Sequence, residues 1–175
     1  MLEKFRSLAI GLCLIVILAG LGAYFMVQLG GGENIFGGKS GDLPPVEFET
    51  LTFESGDAGY LLCSQETCPA AIANGPSARF PVSAQKLRLA VADYADAMPT
   101  ARTFRFDPIQ NQFDFTERQP GQALPTVVTV KIQELNAYES ALAIYSRKPV
   151  GDDSAEDNEK LVNRWISVLM SQIAG

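Results

Sequence analysis

The sequence predicts an α+β fold in which two helices cover an antiparallel sheet of about four to five strands. Two observations lead to this prediction. Apolar residues recur at helical spacing from Ala84 to Met98 and again from Ser154 to Ile173, whereas between these segments apolar and polar residues alternate. Because the connections between the alternating segments are short, we expect the strands to pair antiparallel.

An uncharged apolar run over residues 8–29 precedes this domain. A helix of that length rises roughly 33 Å, close to the hydrocarbon thickness of a bilayer. Lys4 and Arg6 hold the leader in the cytoplasm. We expect a leader and transmembrane anchor at 1–29, a glycine-rich tether at 30–42 and an extracytoplasmic α+β domain at 43–175. The prediction is a single-pass protein of the bacterial inner membrane with its domain in the periplasm; the alternative, a secretory signal cleaved near 19–23, also exports the domain.

Charge and composition exclude several functions. The chain carries a formal net charge of −6, which disfavours nucleic acid and anionic lipid surfaces as partners. It contains no histidine, so Ser-His-Asp catalysis, Cys-His catalysis and histidine-based zinc sites are excluded. The common glycine-rich nucleotide motifs are missing as well. We therefore predict no cofactor, no metal and no catalytic residues.

Cys63 and Cys68 bracket four residues in the part predicted to be exported. Disulfides persist in that compartment, so we expect these two residues to form one. A redox pair is the alternative, but thioredoxin-like motifs separate their cysteines by two residues. Metal ligation would need further soft or imidazole ligands. A structural disulfide is the preferred interpretation.

The local patterns define the remaining elements. Ser83 is a helix cap, and Pro99 ends the helix that follows it. Residues 60–80 are expected to be irregular. The predicted strands are Val46–Phe53, Thr103–Asp107, Gln112–Glu117, Thr126–Gln133 and Ser140–Arg147. The second and third of these form a hairpin around Pro108–Asn111.

Four phenylalanines share one face of that hairpin, namely Phe104, Phe106, Phe113 and Phe115. Such a face could line a pocket for an apolar or lipid-like ligand. Such faces more often pack under helices, which is the preferred interpretation.

A second candidate site is polar. Arg147 ends a predicted strand, while Asn163 and Arg164 lie in the last helix, one turn after Glu159. If they converge, two guanidinium groups would favour an anion. The alternative is that Arg147 pairs with Asp152, Asp153 or Glu159.

The acidic stretch at 151–159 could bind a hard cation through its carboxylates. It lacks the spacing of an EF-hand. Acidic residues at the start of a helix complement the helix dipole, and we prefer this interpretation.

The order of several short motifs resembles a family of bacterial and plastid proteins, the domain of unknown function numbered fourteen ninety-nine. The motifs are Cys68-Pro69, Ser146-Arg147, Gly151 and Val162-Asn163-Arg164. The resemblance covers roughly residues 43–173. It implies a single small α+β domain and no known activity. Glu159 stands where the family usually has aspartate.

We interpret the chain as a membrane-anchored accessory domain that docks on another membrane protein without catalysis. Residues 8–29 would contact the bilayer, and anchoring would raise the effective concentration of the domain near its partner. The first alternative is a binding module for a small apolar or anionic ligand. The second is a hydrolase that uses carboxylates.

Overall fold

The computed structural model of the protein describes residues 43–54, 56–122 and 124–174. From residue 45 onward they belong to one compact unit. The predicted leader, transmembrane anchor and tether lie outside the described residues. Within them, neither helix has both the length and the apolar character that crossing a bilayer requires.

Six strands and two helices make up the described part of the chain, which confirms the α+β class. Their order is β1 (Tyr60–Leu62), β2 (Ala78–Phe80), α1 (Ala84–Ala97), β3 (Ala101–Asp107), β4 (Gln112–Glu117), β5 (Thr126–Asn136), β6 (Glu139–Arg147) and α2 (Ala155–Ala174). All pair antiparallel, in the spatial order β1-β6-β5-β4-β3. The short strands β1 and β2 pair with different parts of the same strand, β6.

Helix α1 follows the predicted pattern closely. The Ser83 side chain caps it by accepting a hydrogen bond from the Lys86 amide at 3.3 Å. Leu87, Val91 and Tyr94 are fully buried, as their spacing predicts. The helix ends before Pro99, which confirms this segment.

The β3–β4 hairpin is also confirmed, and its turn has a clear chemical cause. Asp107 accepts hydrogen bonds from the amides of Ile109 and Gln110 at 2.9 and 3.1 Å. Asn111 then adopts a left-handed φ of 53°, which asparagine tolerates well. The pairing register shifts between Thr103 and Arg105, so Phe104 forms a bulge in β3.

The prediction of a strand at Val46–Phe53 is wrong. The segment makes a turn in which the Thr50 amide donates to the Glu47 carbonyl at 3.1 Å. Val46, Phe48 and Phe53 are nevertheless buried, which explains the alternating pattern. We call residues 45–53 the strap. The region expected to be irregular contains β1 and β2, whose three residues are too few to show an alternation.

The two faces of the sheet differ in what covers them. Both helices pack on the face that we call the helix-covered face, where the core includes Phe115, Val128, Val130, Leu142, Ile144 and Trp165. Alternate strand residues point to the opposite, helix-free face, namely Leu61, Arg102, Arg105, Gln112, Asp114, Thr116, Val127, Thr129, Lys131, Ala143, Tyr145 and Arg147. The strap and the disulfide loop cover Leu61 and Ala143 and form a second, smaller core.

Candidate functional site

The predicted disulfide between Cys63 and Cys68 is present. The two Cα atoms are 6.1 Å apart, and both cysteines are buried in the smaller core. The loop is tied at its base, because the Cys63 amide donates to the Gly75 carbonyl at 2.9 Å. The bridge therefore staples the loop that packs beside the strap.

The four phenylalanines of the hairpin divide into two pairs. Phe113 and Phe115 are buried, and Phe115 lies 5.0 Å from the ring of Trp165. Phe106 stacks on Phe113 with ring centroids 4.4 Å apart but is partly exposed, and Phe104 is 38% exposed at the bulge. Phe113 and Phe115 thus belong to the core, whereas Phe104 and Phe106 lie at its solvent-exposed edge. A ligand pocket lined by these four rings stays a prediction.

The predicted polar site is not assembled as one cluster. Arg147 lies on the helix-free face with its guanidinium 5.7 Å from the ring centre of Tyr145. Arg164 binds Glu117, which points to the helix-covered face. Glu159 lies beside Tyr60, whose pKa is raised first by burial and then by this carboxylate. Exposed Asn163 accepts a hydrogen bond at its backbone carbonyl from Ser167.

The alternative partners predicted for Arg147 are not observed either. Among the described residues it forms no ion pair with Asp152, Asp153 or Glu159. Asp153 instead accepts hydrogen bonds from the backbone amides of Lys148 and Ser154, both at 3.0 Å.

The acidic stretch caps helix α2. The Ser154 hydroxyl accepts a hydrogen bond from the Asp157 amide at 3.4 Å, as in a capping box. In the described segments, no group of three or more acidic or cysteine side chains is arranged to hold a metal ion.

Asn158 is a structural residue that the sequence does not distinguish from its acidic neighbours. It is buried and accepts a hydrogen bond from the Ser146 hydroxyl at 2.6 Å. Its amide nitrogen donates to the Ala58 carbonyl at 2.9 Å and to Asp153 at 2.6 Å. Asn158 thereby ties the start of α2 to β6 and to the turn before β1.

A concave cleft lies where β3 begins and β4 ends, away from the β3–β4 turn. Its volume is about 430 Å³, and its walls are formed by Pro99, Thr100, Arg102, Thr116, Arg118 and Pro125. Arg102 and Thr116 are cross-strand partners, and the Arg118 amide donates to the Thr100 carbonyl at 2.9 Å. Arg102 and Arg118 are therefore diagonal neighbours on paired strands, close enough for long side chains to reach one ligand.

The cleft is positively charged although the chain is acidic overall. Arg102 and Arg118 are both exposed. Neither forms an ion pair or a side-chain hydrogen bond with another described residue, whereas Arg105, next along the face, binds Asp114 at 3.6 Å. Together with Thr116, which also lines the cleft, the two guanidinium groups provide donors suited to an anion.

A buried carboxylate lies directly behind the cleft. Glu117 is 1% exposed, yet both of its oxygens are satisfied. Oε1 accepts from Arg164 Nη2 at 2.6 Å, from Gln119 at 3.2 Å and from the Thr100 hydroxyl at 3.3 Å. Oε2 accepts from the indole nitrogen of Trp165 at 2.7 Å. Thr100 therefore contacts both the cleft and the buried acid.

A second cavity lies at the other end of the helix-free face, beside the strap. It measures about 480 Å³ and is lined mainly by acidic and amide side chains together with Arg105. Gln112 donates to the Val46 carbonyl at 2.8 Å and Lys131 forms an ion pair with Glu49, so that both hold the strap at its edge. The Lys131 ammonium lowers the pKa of Glu49 chiefly through its hydrogen bond.

Comparisons with known proteins do not identify the chain. No family model matches it, and no curated protein matches it. Among solved structures, XoxI from Bacillus cereus has a TM-score of 0.42 at 11% identity, covering 56% of this chain and 92% of its own. A START superfamily protein from Mycobacterium smegmatis has a TM-score of 0.42 at 12% identity, covering 56% and 94%. The Zhui aromatase/cyclase from a Streptomyces species has a TM-score of 0.36 at 11% identity, covering 56% and 90%. Because these scores are below 0.5, we base no functional inference on them.

Proposed function

We propose that the domain is a binding module for a small anionic molecule, held in the cleft between the start of β3 and the end of β4. The observation that carries this proposal is the pair Arg102 and Arg118. Both point into one concavity, and neither has an acidic partner among the described residues. Two cations of like sign side by side destabilise the free protein slightly, and an anion between them removes that repulsion.

The walls of the cleft narrow the class of ligand. Pro99 and Pro125 contribute apolar surface beside the two arginines. Guanidinium groups bind planar carboxylates and phosphates through paired hydrogen bonds. We therefore expect a dianion with a small apolar body, such as a phosphate monoester.

The binding test is isothermal titration of the full chain in detergent with phenyl phosphate. We expect saturable binding, and Arg102→Ala with Arg118→Ala should weaken it by about 100-fold or more through the loss of two charge-assisted contacts. Arg79→Ala is the matched control, because Arg79 is also exposed but binds Glu139 at 3.4 Å on another strand. Equal affinity in the double variant and the wild type would refute the proposed site.

The setting of this module is also a proposal, drawn from residues 8–29. We propose that they anchor the protein in the inner membrane and that the domain lies in the periplasm. A reporter fused after Gly175 should be active only in the exported compartment, and the purified protein should begin at Met1. A chain that begins near Tyr24 would exclude the anchor and keep the export.

Docking on a membrane protein is the second candidate, and one observation favours it. Ile109 in the β3–β4 turn is 91% exposed and Tyr138 in the β5–β6 turn is 83% exposed. The two turns lie at the same end of the sheet, because Gln112 pairs with Lys131 and the Ile132 amide donates to the Asn111 carbonyl. Ile109→Ser with Tyr138→Ser should abolish docking and leave phenyl phosphate binding unchanged, whereas the arginine variants should do the reverse.

A further inference from the structure

We propose that Thr100 couples the cleft to helix α2, so that an anion in the cleft changes the hydrogen bonding of Glu117 and Trp165. This inference rests on the proposed anion site. It assigns Thr100 and Glu117 as positioning residues that set the affinity of that site and transmit its occupancy.

The coupling begins with the single proton of the Thr100 hydroxyl. A hydroxyl donates one hydrogen bond at a time. Here it donates to Glu117 Oε1 at 3.3 Å, a long contact, and Thr100 is also one of the residues that line the cleft. An anion held by Arg102 and Arg118 offers this proton a second acceptor. Binding therefore shifts the hydroxyl away from Glu117.

Glu117 is sensitive to that shift because it is buried. Each hydrogen bond to a buried carboxylate replaces lost hydration, so its remaining donors must compensate when Thr100 leaves. Those donors come from Arg164 and Gln119 on one oxygen and from Trp165 on the other. Arg164 and Trp165 belong to α2, so the compensation falls mainly on that helix.

Glu117 also acts on the cleft through its charge. A carboxylate next to an anion site repels the incoming ligand, and the repulsion is weakly screened where the carboxylate is buried. The surrounding donors hold it in place, with Thr100 between it and the ligand. Glu117 therefore lowers the affinity of the site and favours release.

Trp165 makes the coupling measurable. It is the only tryptophan in the sequence, and its indole nitrogen donates to Glu117 Oε2 at 2.7 Å. Its ring lies 3.8 Å from that of Tyr94. Indole emission depends on the hydrogen bond of the ring nitrogen and on nearby charge, so emission from the full chain reports on this one contact.

The experiment titrates the full chain in detergent with phenyl phosphate and follows heat and tryptophan emission on the same samples. In the wild type, both signals should change with one midpoint. Thr100→Val should retain the heat of binding with affinity weakened about tenfold, as for the loss of one hydrogen bond to a charged group, but should lose most of the emission change. Thr100→Ser should restore both signals, because it keeps the hydroxyl.

Glu117→Gln provides the second variant. It keeps the size of the side chain and removes its charge, so it should bind phenyl phosphate about threefold to tenfold more tightly. Arg102→Ala should move the midpoints of both signals together to about tenfold higher phenyl phosphate, because it removes one charge-assisted contact and leaves Thr100 in place. Circular dichroism and thermal unfolding of every variant verify that it is folded before titration.

The outcomes separate the two proposals. Heat without any emission change in the wild type would overturn the coupling and leave the anion site intact. An emission change that persists in Thr100→Val would exclude Thr100 as the link, and unchanged or weaker affinity in a folded Glu117→Gln would exclude the repulsive role of Glu117. If the wild type binds nothing by either signal, the proposed function is wrong, and the coupling with it.

Discussion

The two faces of the sheet use the same strands for different purposes. On the helix-covered face the alternate residues are mostly apolar and packed under α1 and α2, and Glu117, the acid buried there, is fully hydrogen-bonded. On the helix-free face the strap and the disulfide loop cover Leu61 and Ala143, and Gln112 and Lys131 hold the edge of the strap. The rest carries charged side chains and two cavities. Because side chains alternate along a strand, stability and recognition can be specified independently within one hairpin.

The state of the charges differs between the faces in the same way. The carboxylate of Glu117 costs free energy to bury and is stabilised by donors from the residue before β3, the segment after β4 and helix α2. Arg102 and Arg118 could each have found an acid in a chain of net charge −6, yet among the described residues they have none. Two arginines in one cleft, without an ion pair to any described residue, distinguish the helix-free face as a candidate binding surface.

The largest expected effect separates the two strands of one hairpin, because Phe104 and Phe115 lie at the same level on β3 and β4. Phe115→Ala should destabilise the protein by about 3–5 kcal/mol, because the ring is fully buried against Trp165. Phe104→Ala is the matched control and should cost less than about 1 kcal/mol, because its ring is 38% exposed. Urea unfolding measures both. Equal losses would mean that the bulge is also part of the core and that the distinction between core and edge fails.

A smaller effect tests what supports the smaller core next to the strap. Replacement of both Cys63 and Cys68 by serine should lower the free energy of unfolding by about 2 kcal/mol, because the bridge closes a short loop. The helix-covered core does not contain this loop. Denaturant unfolding measures this loss. The wild type should show the same loss when reductant is added and none without it. Two reactive thiols in the unreduced, denatured protein would contradict the disulfide.

The smallest effect concerns the edge of the strap. Lys131 lowers the pKa of Glu49, so the pair stabilises the folded state above the unfolded pKa of the acid and ceases to do so as pH falls through the lower, folded pKa. Glu49 is mostly exposed, so the loss in Glu49→Gln should stay below about 1 kcal/mol. This loss of stability should be measurable at neutral pH and absent in acid. Glu47→Gln, in the same segment but without an ion pair to another described residue, is the control.

The sequence predicts those parts of the fold that depend on local order. Helices α1 and α2 and strands β3 to β6 are long enough to show a period. The strap fails this test because a turn with buried Val46 and Phe48 produces the alternation of a strand. In β1 and β2, pairing with β6 decides the structure of segments only three residues long.

The candidate site could not be predicted in the same way. Arg102 and Arg118 are sixteen positions apart, and only the register of the hairpin makes them neighbours. The available signal is their position, because Arg102 directly precedes and Arg118 directly follows the predicted hairpin strands. The sequence suggests Arg164 as part of an anion site with Arg147. In the structure Arg164 binds Glu117 instead, because the two arginines lie on opposite faces of the sheet. To assign each arginine to a face of the sheet, one must know how the strands pair, and the sequence alone does not give that pairing.

The bulge at Phe104 affects whether separate copies of the protein associate through their sheets. Strand β3 is an outer strand of the sheet, and an unbroken outer strand can recruit the same strand of another molecule and start aggregation. The shift in register between Thr103 and Arg105 interrupts the regular spacing of its backbone groups, and the charge of Arg102 repels an identical strand. On the opposite side, the sheet ends in strands of only three residues each. Both edges of the sheet are thus poorly suited to pairing with the sheet of a second copy, so the domain is suited to high local concentration.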